Sequence, residues 1–258
     1  MSNKILELKN VYSGYNNNII ILHDICLDIY KGEFIAILGP NGAGKTTLIK
    51  TIMNLCGPCS GNIFIKDKNI NSLTQKQIAQ KITVIPQGLS VPFAFTVYEF
   101  ISLARFPHRN NFLSPNNKDK TIINNTMALM NIEKLKNRAI NTLSAGEFQR
   151  TLIAQGLIQE PELLILDEPV AHLDIKYKYE ILDILKNLNK KGLTIISVMH
   201  DINLANRYCS REIFFKQGKI VLQGHPKNVC TNENLEFIYD ISVNINYNTH
   251  NEIPYVYR

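Results

Sequence analysis

The feature that most constrains the fold is a glycine-rich stretch of eight residues that reads GPNGAGKT from Gly39 to Thr46. It lies between an apolar run at residues 34–38 and an amphipathic helical pattern at residues 46–55. When a strand, a glycine-rich turn and a helix follow in this order, the backbone N–H groups of the turn can wrap a phosphate at the helix N-terminus. We therefore predict a nucleotide phosphate site inside an α/β fold.

The residues of this loop have different predicted tasks. The glycines allow close approach of the backbone, the Lys45 ammonium can reach the β- and γ-phosphates, and the Thr46 hydroxyl can ligate magnesium. An ordinary glycine-rich turn before a helix is disfavoured, because a Lys-Thr pair follows at the required position. The predicted ATP-binding residues of the loop are Gly39, Pro40, Asn41, Gly42, Ala43, Gly44, Lys45, Thr46 and Thr47.

Apolar runs and helical patterns alternate along the rest of the chain. Short runs rich in Ile, Leu and Val predict buried strands at residues 34–38, 83–85, 163–166 and 194–199. Apolar residues at three- and four-residue spacing predict helices at residues 46–55, 120–130, 149–159 and 177–190. This alternation predicts an α/β class with a largely parallel core sheet.

Three parts of the sequence depart from that alternation. Two strand-like segments at residues 5–11 and 19–29, separated by a polar turn, predict an N-terminal antiparallel β layer. Residues 88–142 carry few strand signals and predict an inserted helical subdomain. The chain end predicts a strand at residues 219–222 and a helix at residues 232–239.

Composition narrows the class of protein. The chain has 258 residues, 45% hydrophobic and 19% charged, which is ordinary for a folded globular chain. No apolar run approaches the roughly 20 residues that cross a bilayer, and we expect no signal peptide. The net charge is +6, from 28 basic and 22 acidic residues, but the basic residues are scattered, so we predict no nucleic-acid partner. Five cysteines fit a reducing compartment.

A second chemical motif stands at the end of the apolar run at residues 163–166. Asp167 and Glu168 follow it directly, and adjacent residues on a strand point to opposite faces. The two carboxylates are therefore predicted to have different tasks. Asp167 would hold the magnesium hydration shell, and Glu168 would polarise the attacking water as the catalytic base.

The Cys-Gly-Pro-Cys sequence at residues 56–59 has the spacing of a thioredoxin-type redox motif. A reactive thiol of that type needs a helix N-terminus beside it, whereas these cysteines follow the helix predicted from residue 46. Gly57 and Pro58 are ordinary helix-stop residues, so we predict no redox chemistry here.

Residues 143–150, LSAGEFQR, resemble the signature sequence of the ATP-binding-cassette (ABC) ATPases. The resemblance extends over essentially the whole chain. Its other carriers, in order, are Tyr15, the loop at residues 39–46, Gln87, Asp167-Glu168, Ala171-His172-Leu173-Asp174 and His200. It implies a single domain over residues 1–258, with a P-loop NTPase core at 1–87 and 151–258 and a helical subdomain at about 88–150.

The resemblance also implies ATP and magnesium as ligands and a homodimer that sandwiches two ATP molecules head to tail. Ser144, Ala145, Gly146 and Glu147 would then act in trans on the partner's nucleotide, and Asp174 would lie in the dimer-contact loop. Gln87 would sense magnesium and water, and His200 would touch the γ-phosphate. Ala145 replaces the first of two glycines, so either the backbone there needs no glycine or the methyl group fits.

Tyr15 is the expected adenine platform, because its distance from the phosphate loop suits this task better than that of Tyr12, the alternative. An aromatic residue near a strand is also often part of the core. The segment between Gln87 and about residue 111 is expected to form a groove for a permease helix. Its contact residues would be Val91, Phe93, Phe95, Phe106, Arg105 and Arg109.

Within the family, the chain most resembles the ATPases of iron-siderophore, haem and cobalamin importers, through residues 104–108, 144–150, 171–175, 200–209 and 223–226. This implies a peripheral subunit at the cytoplasmic face of the inner membrane that drives iron(III)-siderophore uptake. Its partners would be two permease subunits and a periplasmic or lipoprotein substrate-binding protein. Haem or cobalamin import is the alternative. A non-transport cassette ATPase is disfavoured, because 258 residues leave no room for a second cassette.

Overall fold

The computed structural model describes residues 3–16, 19–89, 91, 93–109, 116–247 and 253–257. The strands are β1 Lys4–Asn16, β2 Ile19–Tyr30, β3 Phe34–Leu38, β4 Pro58–Ile65, β5 Lys68–Asn69, β6 Ile82–Ile85, β7 Leu163–Asp167, β8 Thr194–Val198, β9 Arg211–Lys216, β10 Lys219–Gly224, β11 Asn244–Tyr247 and β12 Pro254–Tyr257. The α-helices are α1 Lys45–Ile52, α2 Gln75–Ala79, α3 Val97–Ser102, α4 Asn117–Leu129, α5 Ala145–Ile158, α6 Ile175–Lys190, α7 Ile202–Tyr208, α8 Pro226–Val229 and α9 Asn232–Tyr239.

The central sheet has the strand order β10-β9-β3-β8-β7-β6 in the described chain. All neighbouring strands are parallel except β10, which runs antiparallel to β9. Every residue of β3, β7 and β8 is buried, because layers cover both faces of the sheet. These strands therefore appear in the sequence as continuous apolar runs, and the predicted α/β class with a parallel core sheet is confirmed.

The antiparallel layer has the strand order β2-β1-β4-β5. Its inner face packs with one face of the central sheet in a shared apolar core that includes Leu6, Ile25, Ile63, Ile37 and Ile165. The predicted layer held only the first two strands. The sequence analysis missed β4 because Pro58, Gly61 and the polar residues between them interrupt it, which leaves apolar residues only at its end.

The segment between β6 and β7 is helical, as predicted. Helices α3, α4 and α5 pack around Val97, Ile123, Met127 and Leu152. Each of these helices begins with a capping box, in which the side chain of the residue before the helix and the side chain three positions on satisfy exposed N–H groups. Helix α5 runs across residue 150, from the predicted subdomain into the predicted core.

In the part of the chain that the structure describes, no helix combines the length and apolarity needed to span a bilayer.

Candidate functional site

The phosphate loop connects β3 to α1, where the sequence predicts it. Gly39 has a φ of 138°, and a Cβ at this position would lie 2.1 Å from the carbonyl oxygen of Phe215 on β9. Only glycine fits this point. The loop is therefore pressed against the neighbouring strand at its start and opens into the helix N-terminus at its end.

The Lys45 side chain folds back over the loop. Its ammonium donates to the carbonyl oxygens of Gly39, at 2.7 Å, and of Pro40, at 2.9 Å. Burial lowers the pKa of Lys45, and the carboxylates of Glu168 and Asp167 act in the opposite direction. The cation thus lies over the loop, where the negative charge of a bound phosphate would stabilise it.

A cavity of about 300 Å³ opens above the loop. Its lining is formed by Tyr15, Ile21, Asn41, Gly42, Ala43, Gly44, Lys45, Thr46, Thr47, Glu168 and Val198. The combination of a buried lysine, backbone N–H groups at a helix N-terminus and an aromatic side chain fits a nucleoside triphosphate. Ile21 and Val198 were not predicted from the sequence. Ile21 reaches the cavity from β2, and Val198 lies at the end of β8, where its carbonyl accepts from the Glu168 N–H.

Thr46 and Asp167 meet across the loop. The Thr46 hydroxyl donates to Asp167 Oδ2 at 3.4 Å. Burial, followed by the neighbouring Glu168 carboxylate, raises the pKa of Asp167, and the Thr46 hydrogen bond works against this rise. A cation would relieve the repulsion between the two carboxylates.

The donor set suits magnesium held jointly with phosphate oxygens. Among the described residues, no three His, Cys, Asp or Glu side chains converge on one point to hold a metal ion by themselves. Magnesium usually keeps several waters and binds through one or two carboxylates plus substrate phosphates. Thr46 and Asp167 fit this pattern.

Glu168 lies at the centre of a polar group formed from three separate loops. Its Oε2 accepts from Gln87 Nε2 at 2.5 Å, and its Oε1 contacts His200 Nε2. The Glu168 backbone has a φ of 53°, in the left-handed region, and its N–H donates to the Val198 carbonyl at 3.1 Å. Such strain persists only where the surroundings fix it, and here Gln87 and His200 hold the carboxylate.

The signature residues lie at the start of α5. Ser144 is the N-cap and accepts from the Glu147 N–H, while the Glu147 carboxylate accepts from the Ser144 N–H at 2.8 Å. Ala145 is the first helical residue, in a conformation that any residue adopts, which resolves the question about the missing glycine. Gly146 is buried, and a Cβ there would lie 3.0 Å from the Tyr177 ring.

The described lining of the cavity includes none of the signature residues. The Ser144 side chain is exposed and lies outside the described lining of this cavity. Asp174, in the predicted dimer-contact loop, is the N-cap of α6 and accepts from the Tyr177 N–H at 3.0 Å.

The two candidate tyrosines occupy different places. Tyr15 lines the cavity, is 50% exposed and lies under the Lys50 ammonium, 4.8 Å from its ring centroid. Tyr12 does not appear in the described lining and packs edge to face on His23 at 6.3 Å. Lys50, one turn after Thr46 on α1, was missed by the sequence analysis.

An apolar groove of about 320 Å³ lies between the helical segment and the edge of β6. Leu89, Leu103 and Phe106 line it and are 37%, 54% and 53% exposed. Phe93 is more exposed still, at 64%, but Val91 and Phe95 pack against the core.

The prediction that Arg105 lies on the contact surface is wrong. Arg105 is 4% exposed and points into the protein, where its guanidinium pairs with Asp119. The reason lies in the tertiary structure, because α4 places the buried carboxylate of Asp119 next to Arg105. Arg109 is half-buried and pairs with the same carboxylate at 3.1 Å.

Cys56 and Cys59 follow the C-terminal end of α1 and have free thiols. Their position after a helix, rather than at a helix start, is the one that the sequence predicts.

Comparison with known proteins decides the family. The family described as ABC transporter matches residues 22–171, more than half of the chain. The chain belongs to the ABC transporter family. The match includes the phosphate loop, the signature and the Asp167-Glu168 pair. This ABC transporter subunit is an ATPase, and its domain binds nucleotide.

Relatives of this ABC ATPase include transport proteins for iron complexes. The ferric enterobactin transport ATP-binding protein FepC of Escherichia coli K12 is 36% identical over 86% of this chain and 82% of its own length. The iron(3+)-hydroxamate import ATP-binding protein FhuC of Bacillus subtilis is 36% identical over 93% and 89%. A dimeric ATP-binding cassette in a post-hydrolysis state, bound to ADP and Pi, superimposes with a TM-score of 0.74, at 29% identity, over 86% of this chain and 98% of that chain.

Proposed function

We propose that the chain is the ATP-hydrolysing subunit of an importer that takes up an iron(III)-siderophore through separate permease subunits. The observation that carries ATP hydrolysis is the convergence of Lys45, Thr46 and Glu168 on one cavity. The iron-siderophore cargo is supported by the names of the relatives FepC and FhuC. Two permease subunits, a periplasmic or lipoprotein binding protein and a place at the cytoplasmic face of the inner membrane complete the proposal.

In the proposed mechanism, the loop N–H groups and Lys45 hold the β- and γ-phosphates. Bound magnesium would supply charge neutralisation on the phosphates, held by Thr46 and Asp167, with Gln87 nearby. The Glu168 carboxylate accepts a proton from water as the water oxygen attacks the γ-phosphorus. The bond to the bridging oxygen breaks, and ADP and phosphate result. His200 contacts Glu168 Oε1 and so orients the base.

We also propose a head-to-tail homodimer, in which the exposed signature end of α5 covers the partner's nucleotide. Its support is that Ser144, Ala145, Gly146 and Glu147 do not line this chain's own cavity among the described residues. The dimeric cassette bound to ADP and Pi is consistent with this arrangement. Asp174 and the loop at residues 171–174 would lie at the dimer contact.

Tyr15 is the proposed platform for adenine. Replacement by alanine removes base stacking, which is worth about 1–3 kcal/mol, and should therefore weaken ATP binding roughly tenfold. Tyr15→Phe keeps the ring and should bind ATP like the wild type. Isothermal titration with ATP and with inorganic tripolyphosphate makes the test, because tripolyphosphate has no base and its affinity should stay unchanged. An equal loss of affinity for both ligands would show that Tyr15 does not stack on adenine.

The apolar groove is the proposed docking site for a permease helix. Leu89, Leu103 and Phe106 expose a contiguous apolar surface, which is the composition of a protein contact. Phe93 and the half-buried Arg109 lie in the same segment. The occupant follows from the family, since the ATPase needs a membrane partner to convert closure into transport.

The groove and the cargo can be tested together in cells. Leu103→Glu is expected to reduce permease co-purification and radioiron-siderophore uptake roughly tenfold, because it buries a charge in an apolar contact. Leu55→Glu, at an exposed leucine outside the groove, is the matched control and should change neither co-purification nor uptake.

Uptake is measured with an enterobactin complex, a hydroxamate complex, haem and cobalamin. If only haem or cobalamin uptake depends on the chain, the groove assignment holds and the siderophore proposal is wrong. If no membrane protein co-purifies with the wild type, the chain serves as a non-transport ATPase.

A further inference from the structure

Arg105 makes more directed contacts than any surface role would need. Its Nε donates to Asp119 Oδ1 at 2.7 Å, and its Nη1 donates to the Ile158 carbonyl at 2.9 Å and to Glu160 Oε2 at 2.8 Å. Asp119 lies on α4, and Ile158 is the last residue of α5. One buried guanidinium thus joins the segment Leu103–His108, called the groove segment below, to α4 and to the end of α5.

The segment that carries Arg105 also forms the groove. Leu103 and Phe106 line the groove on either side of Arg105 in the sequence. The same segment also contacts the residue that follows α2, since Gln80 Nε2 donates to the Pro107 carbonyl at 2.8 Å. An object that enters the groove therefore contacts the residues next to Arg105.

Helix α5 connects Arg105 to the signature. The helix has 14 residues, which at 1.5 Å per residue spans about 21 Å from Ala145 to Ile158. Ser144 caps its N-terminus and Arg105 holds its last carbonyl, which is one of the acceptors that a helix leaves unsatisfied. A helix held at both ends moves as one rigid element, so a shift at the groove reaches Ser144.

Stability alone does not account for a charge at this place. A buried ion pair is often no more stabilising than apolar residues of the same volume, because desolvation offsets the Coulomb attraction. A guanidinium does more than stabilise, because its planar set of donors fixes the relative positions of the groups that it bonds. Here those groups belong to the groove segment, α4 and the end of α5.

We propose that Arg105 is a positioning residue that couples occupancy of the groove to the signature end of α5. This inference rests on the proposed function, because it needs the permease helix as the occupant. It assigns no contact with the nucleotide or the permease to Arg105 itself. The expected consequence is that Arg105 governs how far the permease stimulates ATP hydrolysis, not hydrolysis as such.

The test compares Arg105→Lys with wild type, in the isolated subunit and in the complex with its permease. Lysine keeps the positive charge beside Asp119 but cannot donate to three groups in the geometry of the fork. We expect basal ATPase activity within about twofold of wild type at a temperature where the variant is fully folded, and a lower melting temperature, because a buried acceptor of the guanidinium loses its donor. Permease co-purification should also persist, because the groove residues are intact. The ratio of permease-stimulated to basal turnover, and uptake with it, should fall roughly tenfold.

Arg211→Lys is the matched control, because Arg211 is also a largely buried arginine with several partners, but lies on β9 outside this segment. Glu160→Gln is a second variant. It changes a half-exposed carboxylate that contacts Arg105, so it should fold normally and lower the stimulation ratio by a smaller factor.

An unchanged stimulation ratio in Arg105→Lys would overturn the inference. So would basal activity that falls in parallel with uptake while the variant is fully folded, because this would show a purely structural role. If wild-type activity does not respond to a permease at all, the proposed function itself fails, which the wild-type sample reveals separately.

Discussion

Glu168→Gln is expected to lower ATP turnover roughly a thousandfold while ATP affinity stays near the wild-type value. Glutamine keeps the size of the side chain and an acceptor for Gln87, but it cannot take a proton from water. The phosphate loop and Lys45 are unchanged, so ground-state binding remains and only transition-state stabilisation is lost. Steady-state phosphate release and equilibrium nucleotide binding measure the two quantities separately.

The proposed dimer adds a second readout. A variant that binds ATP without hydrolysing it should accumulate as an ATP-bound dimer, which size-exclusion chromatography with and without ATP detects. Glu236→Gln makes the same chemical change at an exposed position on α9 and should leave both turnover and elution unchanged. Turnover above about a tenth of the wild-type rate would remove Glu168 from the role of catalytic base.

Glu212→Leu is expected to stabilise the fold, by more at pH 8 than at pH 5. Glu212 lies on β9 with none of its surface exposed, and within the described residues neither carboxylate oxygen has a hydrogen-bond partner. Burial raises the pKa of this carboxyl from 4.5 to about 8. Cys209, Cys230 and Tyr239 are the titratable groups whose pKa values its charge raises further.

The direction of this pH dependence follows from the difference in proton binding between the folded and unfolded states. Between pH 4.5 and about 8 the folded protein keeps a proton on Glu212 that the unfolded chain has lost. The Glu212 contribution to the free energy of unfolding therefore falls by about 1.4 kcal/mol per pH unit across this range and is constant above it. Leucine has a similar size, suits the buried strand and carries no proton, so the difference between variant and wild type isolates this contribution.

Urea unfolding at pH 5.5, 7 and 8.5 measures the effect. The stability gain of Glu212→Leu over wild type should grow across this series by about 3 kcal/mol. Glu212→Gln should remove the same pH dependence with a smaller gain, because its amide stays buried without a partner. Glu236→Gln at the surface should keep the wild-type slope. A constant difference between Glu212→Leu and wild type at the three pH values would contradict the buried, protonated carboxyl.

Much of the fold could be predicted because the signals are local. The run at residues 34–38 is continuously apolar since β3 is covered on both faces, and the turn and helix that follow it are specified within the next few residues. Asp167 and Glu168 were assigned different tasks from strand alternation alone. In the structure, Asp167 meets Thr46, while Glu168 meets Gln87 and His200.

The sequence fell short where a residue's partner is distant in the chain. Strand β4 contains residues of low strand propensity, and its place is set by pairing with β1 more than forty residues earlier. For Cys56 and Cys59 the sequence was sufficient, because the end of the preceding helix α1 depends on neighbouring residues alone.

The sequence by itself determined the α/β class, the phosphate loop and the resemblance to ABC ATPases, because each depends on residues that are neighbours along the chain. Only the tertiary structure decided that Arg105 is internal, that Glu212 is buried with no hydrogen-bond partner among the described residues, and that Tyr15 rather than Tyr12 lines the cavity. Arg105 looks like a surface charge until Asp119 and the Ile158 carbonyl, 14 and 53 residues away, are brought to it. Burial and partners are set by which elements pack together, and packing over such distances leaves no periodic signal in the sequence.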